Sequence, residues 1–172
     1  QIDRYVSYNY LENAWAVGTT ADGYTRTAWS QAPTLDFPLA AGKLDNTNLN
    51  YLYNQEDGNL ADGSGFTSYV ETADFDLDPA GEQLMFISKV IPDLKFLEST
   101  SSNDTVDFIL RGRKYPLENL SILSTSSVTP STTFVSTRGR SRQTALKIQS
   151  TSGDFGWRLG DLRLDIRADG EK

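Results

Sequence analysis

Three aspartates stand at alternate positions, Asp74, Asp76 and Asp78, in the run DFDLDPAGE, a pattern that invites cation binding. An EF-hand loop opening at Asp74 requires glycine at its sixth position and glutamate at its twelfth. Pro79 and Met85 occupy those places, so that motif fails. On an extended strand the three carboxylates share one face, with Phe75 and Leu77 on the other, and a solvated strand face is the plainer reading. Carboxylate pairs such as Glu56 and Asp57 are the residue type of glycoside hydrolysis, but adjacency in sequence does not set the separation that chemistry needs. The basic residues form a second pattern. Arg111-Gly112-Arg113 and Arg138-Gly139-Arg140 repeat one motif, and Arg142 follows two residues later.

Along 137–149, Arg138, Arg140 and Arg142 have the same parity as Leu146 and Ile148. In one uninterrupted strand all five would point the same way. Burying unpaired guanidinium groups costs too much. A bulge at Gly139 or Ser141 would turn the arginines away from the core face, or the strand extends past its core. The arginines then contact carboxylates or a neighbouring subunit, face solvent, or grip phosphates. The acidic total and the lack of a nucleic-acid motif weigh against tight nucleic-acid binding.

The chain has no histidine and no cysteine. Disulfides, thiol nucleophiles and a Ser-His-Asp triad are excluded within it, and the usual transition-metal ligand is lacking. Carboxylate, lysine or tyrosine catalysis remains. The formal net charge of -7 is unevenly spread. Between Lys43 and Lys89 every charged residue is acidic, whereas from Arg111 to Lys147 seven bases face only Glu118. Such a division supplies an acidic and a basic patch, meeting within one fold or between neighbours in a ring, or it is an ordinary mixed surface. No apolar run approaches the roughly 20 residues of a membrane span. The chain opens at Gln1 with strand-like residues at once, so we expect it to continue a longer polypeptide.

The elements that must hold these residues read as strands. Short runs rich in Tyr, Phe, Val, Ile and Thr are broken by Gly, Asn, Asp, Ser and Pro. RYVSYNYLENAWAVGTT predicts a hairpin turning at LEN, with ADGY as a second turn. TRTAWS, FPLAAGK and NYLYNQEDG continue the rhythm of a propeller blade of about four strands. EDGNLADGSG is the expected boundary. Beyond it FTSYVETADFDL, EQLMFISKVIPDLKF with a bend or edge at Pro92, and TVDFILRGRKY read as strands. Residues 121–133 read as a loop with a partial edge strand, and 134–150 as one bent strand or two. In WRLGDLRLDIRAD the apolar parity changes from Trp157 and Leu159 to Leu162, Leu164 and Ile166, which predicts a β-bulge at Gly160-Asp161. Arg158, Asp161, Arg163, Asp165 and Arg167 then share a charged outer face. The expected fold is all-β with little or no helix. A propeller-blade-like segment spans 1–62 and a β-sandwich-like domain spans 63–172. Trp15, Trp29 and Trp157 read as packing residues, while Tyr5, Tyr8, Tyr10 and Tyr24 keep sugar stacking open.

In order, SYNYLENAWAVGT, RTAW, LYNQEDG, YVETADFDL, MFISKVIPD, TRGRSRQTALKIQS and GWRLGDLRLDIRADGEK resemble the C-terminal part of the β-propeller tail proteins of short-tailed bacteriophages. These are the nozzle, tail tubular B or packaged-DNA-stabilisation proteins. The resemblance covers nearly the whole chain, with YNYLENAWAVGT and WRLGDLRLDIRADG its most specific pieces. Where related sequences often carry a histidine, this chain has Asn54-Gln55. The resemblance implies a non-enzymatic virion component without catalytic residues, cofactor or metal. It implies a ring, commonly hexameric, around the DNA ejection channel. The implied partners are adaptor, portal and tail fibre proteins, with transient non-specific contact with DNA. On that reading Arg111, Arg113, Arg138, Arg140 and Arg142 are subunit-interface candidates facing acids such as Asp74, Asp76 and Asp78 of a neighbour. The alternatives are a receptor- or carbohydrate-binding β-domain of a tail fibre or adhesin, and a β-sandwich glycan hydrolase.

Overall fold

The computed structural model describes residues 4–19, 24–44, 49–60, 63–78, 80–99, 101–151 and 154–170. Over these residues the protein is all-β, built of antiparallel sheets without a helix. By its internal contacts it divides into two compact units, Gln1–Ala61 and Asp62–Lys172.

In the first unit, β1 (Arg4–Asn9) and β2 (Ala14–Thr19) pair as the expected hairpin, with Asn9 opposite Ala14. Its turn is made by asparagines. Asn9 Oδ1 accepts from the backbone N–H of Leu11 at 3.1 Å and of Glu12 at 3.3 Å. Asn13 takes φ 52, a left-handed conformation that asparagine tolerates better than most residues, and accepts from the Tyr8 hydroxyl at 2.8 Å. The strands β3 (Tyr24–Ser30), β4 (Leu39–Leu44) and β5 (Asn50–Asn54) form a three-stranded meander. The described residues thus make a sheet of two strands and a sheet of three, not one sheet of four. Residues 21–23 of the ADGY turn lie outside the described residues. The expected alternation of Thr25, Thr27 and Trp29 is broken by a bulge. Arg26 faces Gly42 and Ala28 faces Ala41, leaving Thr27 as the extra residue.

The second unit holds the core. One sheet has the order β11 (Ser121–Val128), β10 (Val106–Arg113), β13 (Gln143–Ser150) and β6 (Ser68–Glu71), with β7 (Phe75–Asp76) also on β13. The other has β12 (Val135–Ser141), β8 (Met85–Ile91) and β15 (Arg163–Ala168). A further pair joins β9 (Leu94–Leu97) to β14 (Gly156–Leu159). Met85, Ile87 and Val90 of one sheet, with Phe108, Leu110, Leu146 and Ile148 of the other, form one buried cluster. Each such side chain contributes about 1.5–3 kcal/mol by leaving water.

Three expected strands take a different form. The segment 66–77 is interrupted at 72–74, where Thr72 bonds Leu146 with both backbone and side chain. Its N–H donates to the Leu146 carbonyl at 3.0 Å, and its Oγ1 accepts from the Leu146 N–H at 3.0 Å. The hydroxyl replaces a backbone acceptor and lets the strand leave the ladder. Residues 121–128 form a full edge strand, because Ser and Thr satisfy an exposed edge as well as a loop. At 160–162 the ladder is broken. Ile91 faces Arg163 while Leu94 faces Leu159, so three residues stand opposite Pro92 and Asp93. The register slips by the one residue that the parity change requires. The break is tied down by Asp93, whose carbonyl accepts from Gly160 N–H at 2.7 Å and whose carboxylate accepts from Asp161 N–H at 3.3 Å.

Candidate functional site

The arginine run is resolved by a change of sheet. β12 ends at Ser141 and β13 begins at Gln143, and the two strands belong to opposite sheets of the second unit. Odd positions of β12 are buried, from Val135 to Ser141, whereas Thr144, Leu146, Ile148 and Ser150 are the buried even positions of β13. Crossing the core at Arg142 reverses which parity faces inward. Arg138 and Arg140 therefore point outward although they match Leu146 in parity. A bulge accompanies this: Thr137 and Arg138 lie together opposite Ser88, between the pairs Ser136–Lys89 and Gly139–Ile87.

The two Arg-Gly-Arg motifs have one design on opposed sheets. Gly112 and Gly139 are both buried, with arginines outside them. A Cβ at Gly112 would lie 2.6 Å from Leu123 Cδ1 and 2.7 Å from Ser141 Cβ, and a Cβ at Gly139 would overlap Leu110. The glycines mark a close approach in the core, and alternation sends the flanking guanidinium groups to the two outer faces.

The acids and bases on those faces are paired differently. On the β11–β10–β13–β6 sheet, Arg111 Nη1 lies 2.5 Å from Glu71 Oε1, and Arg113 pairs with Asp74. Arg113 also donates to Gln143 Oε1 at 2.7 Å. The Lys147 ammonium lies 4.5 Å from the Tyr69 ring centre. Asp76 accepts from Gln143 Nε2 at 3.3 Å, and Asp78 Oδ1 accepts from the Gly81 N–H at 2.6 Å, closing a turn. Arg113 and Asp74, both candidates for a contact between copies, thus meet within one chain. Asp74, Asp76 and Asp78 do not line one strand face, since β7 is only two residues long. Among the described residues no cluster of three or more acids, histidines or cysteines forms a metal site.

The outer face of β12–β8–β15 is basic. Arg140, Phe86 and Arg167 stand opposite one another across the three strands, as do Ser136, Lys89 and Asp165. Arg163 continues this face beside Ile91. Arg140 pairs with Asp169 at 2.5 Å and donates to its carbonyl at 2.8 Å. Asp165 accepts from Ser88 at 2.7 Å. Arg167 lies 5.2 Å from the Phe86 ring centre, and Lys89 lies 4.3 Å from that of Phe134. Among the described residues Arg138 and Arg163 have no ion-pair partner. Arg142 sits at the corner, its side chain donating to the carbonyls of Gly81 and Glu82.

Sequence reasoning did not join Lys89, Arg163 and Arg167 to Arg138 and Arg140. The charge alternation of 163–167 was readable, but its neighbours are set by both edges of β8. A one-residue irregularity at Ser88 also brings Phe86 and Lys89, three residues apart, to the same face.

The first unit displays aromatic residues instead. Tyr8 and Trp15 pack with ring centres 4.5 Å apart and planes tilted by 32°, yet stay 45% and 70% exposed. Val6 and Val17 pair beside them and are also exposed. No family model matches the chain, and no curated protein matches it.

Proposed function

We propose that this chain is a non-enzymatic structural component of the tail of a short-tailed bacteriophage, part of a ring that surrounds the DNA ejection channel and helps retain packaged DNA. The observation that carries this reading is the ordered succession of segments from SYNYLENAWAVGT to GWRLGDLRLDIRADGEK, which resembles such tail proteins over nearly the whole chain. The all-β architecture supports it. So does the separation of charge: an acidic chain with one basic sheet face has the two unlike surfaces that a head-to-tail ring requires. An acidic wall elsewhere would let a polyanion slide past without being held. The propeller-blade-like character of the first unit and the sandwich-like character of the second belong to this proposal.

The test is the native mass of the protein together with negative-stain images of the same sample. Closed rings with a central hole support the reading. If the chain alone is monomeric, the measurement is repeated with adaptor and portal, and a chain that still forms no ring refutes it.

A second reading is favoured by one observation, the exposed aromatic face of the β1–β2 hairpin with Tyr8 and Trp15. Such a face suits stacking on sugars, as in a receptor- or carbohydrate-binding domain of a tail fibre. An elongated trimer in the same images would favour it.

A further inference from the structure

The outer face of β12–β8–β15 gathers Lys89, Arg138, Arg140, Arg163 and Arg167, against Asp165 and the adjoining Asp169. Among the described residues, five cations against two carboxylates leave this face with three surplus positive charges. The whole chain has a formal net charge of -7, so the rest of it carries ten surplus negative charges. The opposite sheet differs, since there Arg111 and Arg113 are each matched by a carboxylate of the same chain.

The core does not need these cations, whose neighbours along each strand fill it. Arg140 and Arg167 flank Phe86 at two strand spacings, about 10 Å apart, where like charges repel. Phe86, Ile91 and Phe134 lie among them, and Phe134 is 51% exposed. A sheet face with guanidinium groups around apolar patches suits a carboxylate-bearing protein surface, because Arg pairs bidentately with carboxylates while the aromatic groups lose water.

We propose that this face docks against the acid-rich surface of a second copy of this chain, in a head-to-tail contact. The assignment rests on the ring reading above and names the face that makes its contact. Charge complementarity selects the occupant. The rest of the chain carries the surplus negative charge, so seating this face on a neighbour's acid-rich surface brings opposite charge together, whereas two copies meeting through this same face bring like charge together. The face is three strands wide and about seven residues long, roughly 300 Å² by strand spacing and rise. That is below the roughly 800 Å² per partner of a stable interface, so the contact is salt-sensitive and gains from closure of a ring.

The experiment compares self-association of the chain with that of R138E/R163E/R167E by sedimentation velocity, at about 50 mM and about 500 mM salt, where screening is weak and strong. A control with the same change in charge, R4E/K43E/K114E, places the reversals at exposed positions on or beside β1, β4 and β10. The expected result is assembly of the parent and the control at low salt, with association weakened at least about tenfold in the face variant and at high salt. Circular dichroism checks that each variant is folded, and R138E and R163E singly give the same readout if the triple variant is not. Assembly indifferent to the face variant overturns this proposal and leaves the ring intact. A chain that never assembles, even with adaptor and portal, overturns both. Loss of binding to a single-stranded DNA 20-mer in the face variant, with assembly unchanged, overturns it in favour of a nucleic-acid surface.

Discussion

Gly139 of β12 lies directly against Leu110 of β10, leaving no room for a β-carbon between the two sheets. A methyl group there must displace the side chain of Leu110, which is itself buried. Gly139→Ala is expected to lose about 1–3 kcal/mol, the usual cost of overpacking. Arg138→Ala, one residue away on the exposed side, should stay within about 0.5 kcal/mol. Urea unfolding of the two variants checks the contrast, and equal stabilities would refute the close approach.

The ion pairs should rank by burial. The side chains of Arg113 and Asp74 are 23% and 24% exposed, and those of Arg140 and Asp169 are 52% and 46% exposed. Water screens the second pair more strongly. Double-mutant cycles are expected to give a coupling of about 1 kcal/mol for Arg113–Asp74 and below about 0.5 kcal/mol for Arg140–Asp169. Raising the salt should weaken the second proportionally more. The reverse order would mean that geometry, not solvent access, sets their strength.

Much of the all-β fold was readable because strand signals are local. Residues 4–19 carry their own turn chemistry in Asn9 and Asn13. The parity change around Gly160 announced a register slip before any partner strand was known. The Arg138 puzzle was not solvable in the same way. Its answer lies in a change of sheet at Arg142, and parity within one chain segment does not say to which sheet the next segment belongs. The pairing of Arg113 with Asp74 spans 39 residues, and the basic face requires the order β12–β8–β15. Such juxtapositions come from topology, which residue types in sequence leave open.

Thr72 offers a test of how the 66–77 segment leaves its ladder. Its Oγ1 takes the N–H of Leu146, a residue that is 1% exposed. Thr72→Val keeps the shape but removes the acceptor, leaving a buried donor unmet at a cost of about 1–3 kcal/mol. Thr72→Ser keeps the hydroxyl and should recover most of that loss. Thermal unfolding of both variants distinguishes the hydrogen bond from the methyl contact. Equal losses in the two would assign the effect to packing.

The hairpin β1–β2 should be the least protected β-structure of this chain when it is dispersed. A two-stranded hairpin is marginal in water unless it packs on something apolar. Here Val6 and Val17 are 63% and 77% exposed, and the Tyr8–Trp15 pair is open to solvent. By contrast β10 and β13 supply Phe108, Leu110, Leu146 and Ile148 to the core. Amides that open only with global unfolding lie in such strands, whereas local openings release surface hairpins. In hydrogen exchange, peptides covering 4–19 are expected to exchange at least about 100-fold faster than those covering 106–113 and 143–150. Protection of the hairpin equal to that of β10 would show that its exposed aromatic face is covered in the dispersed chain, and the surface proposed for sugar stacking would then not be available.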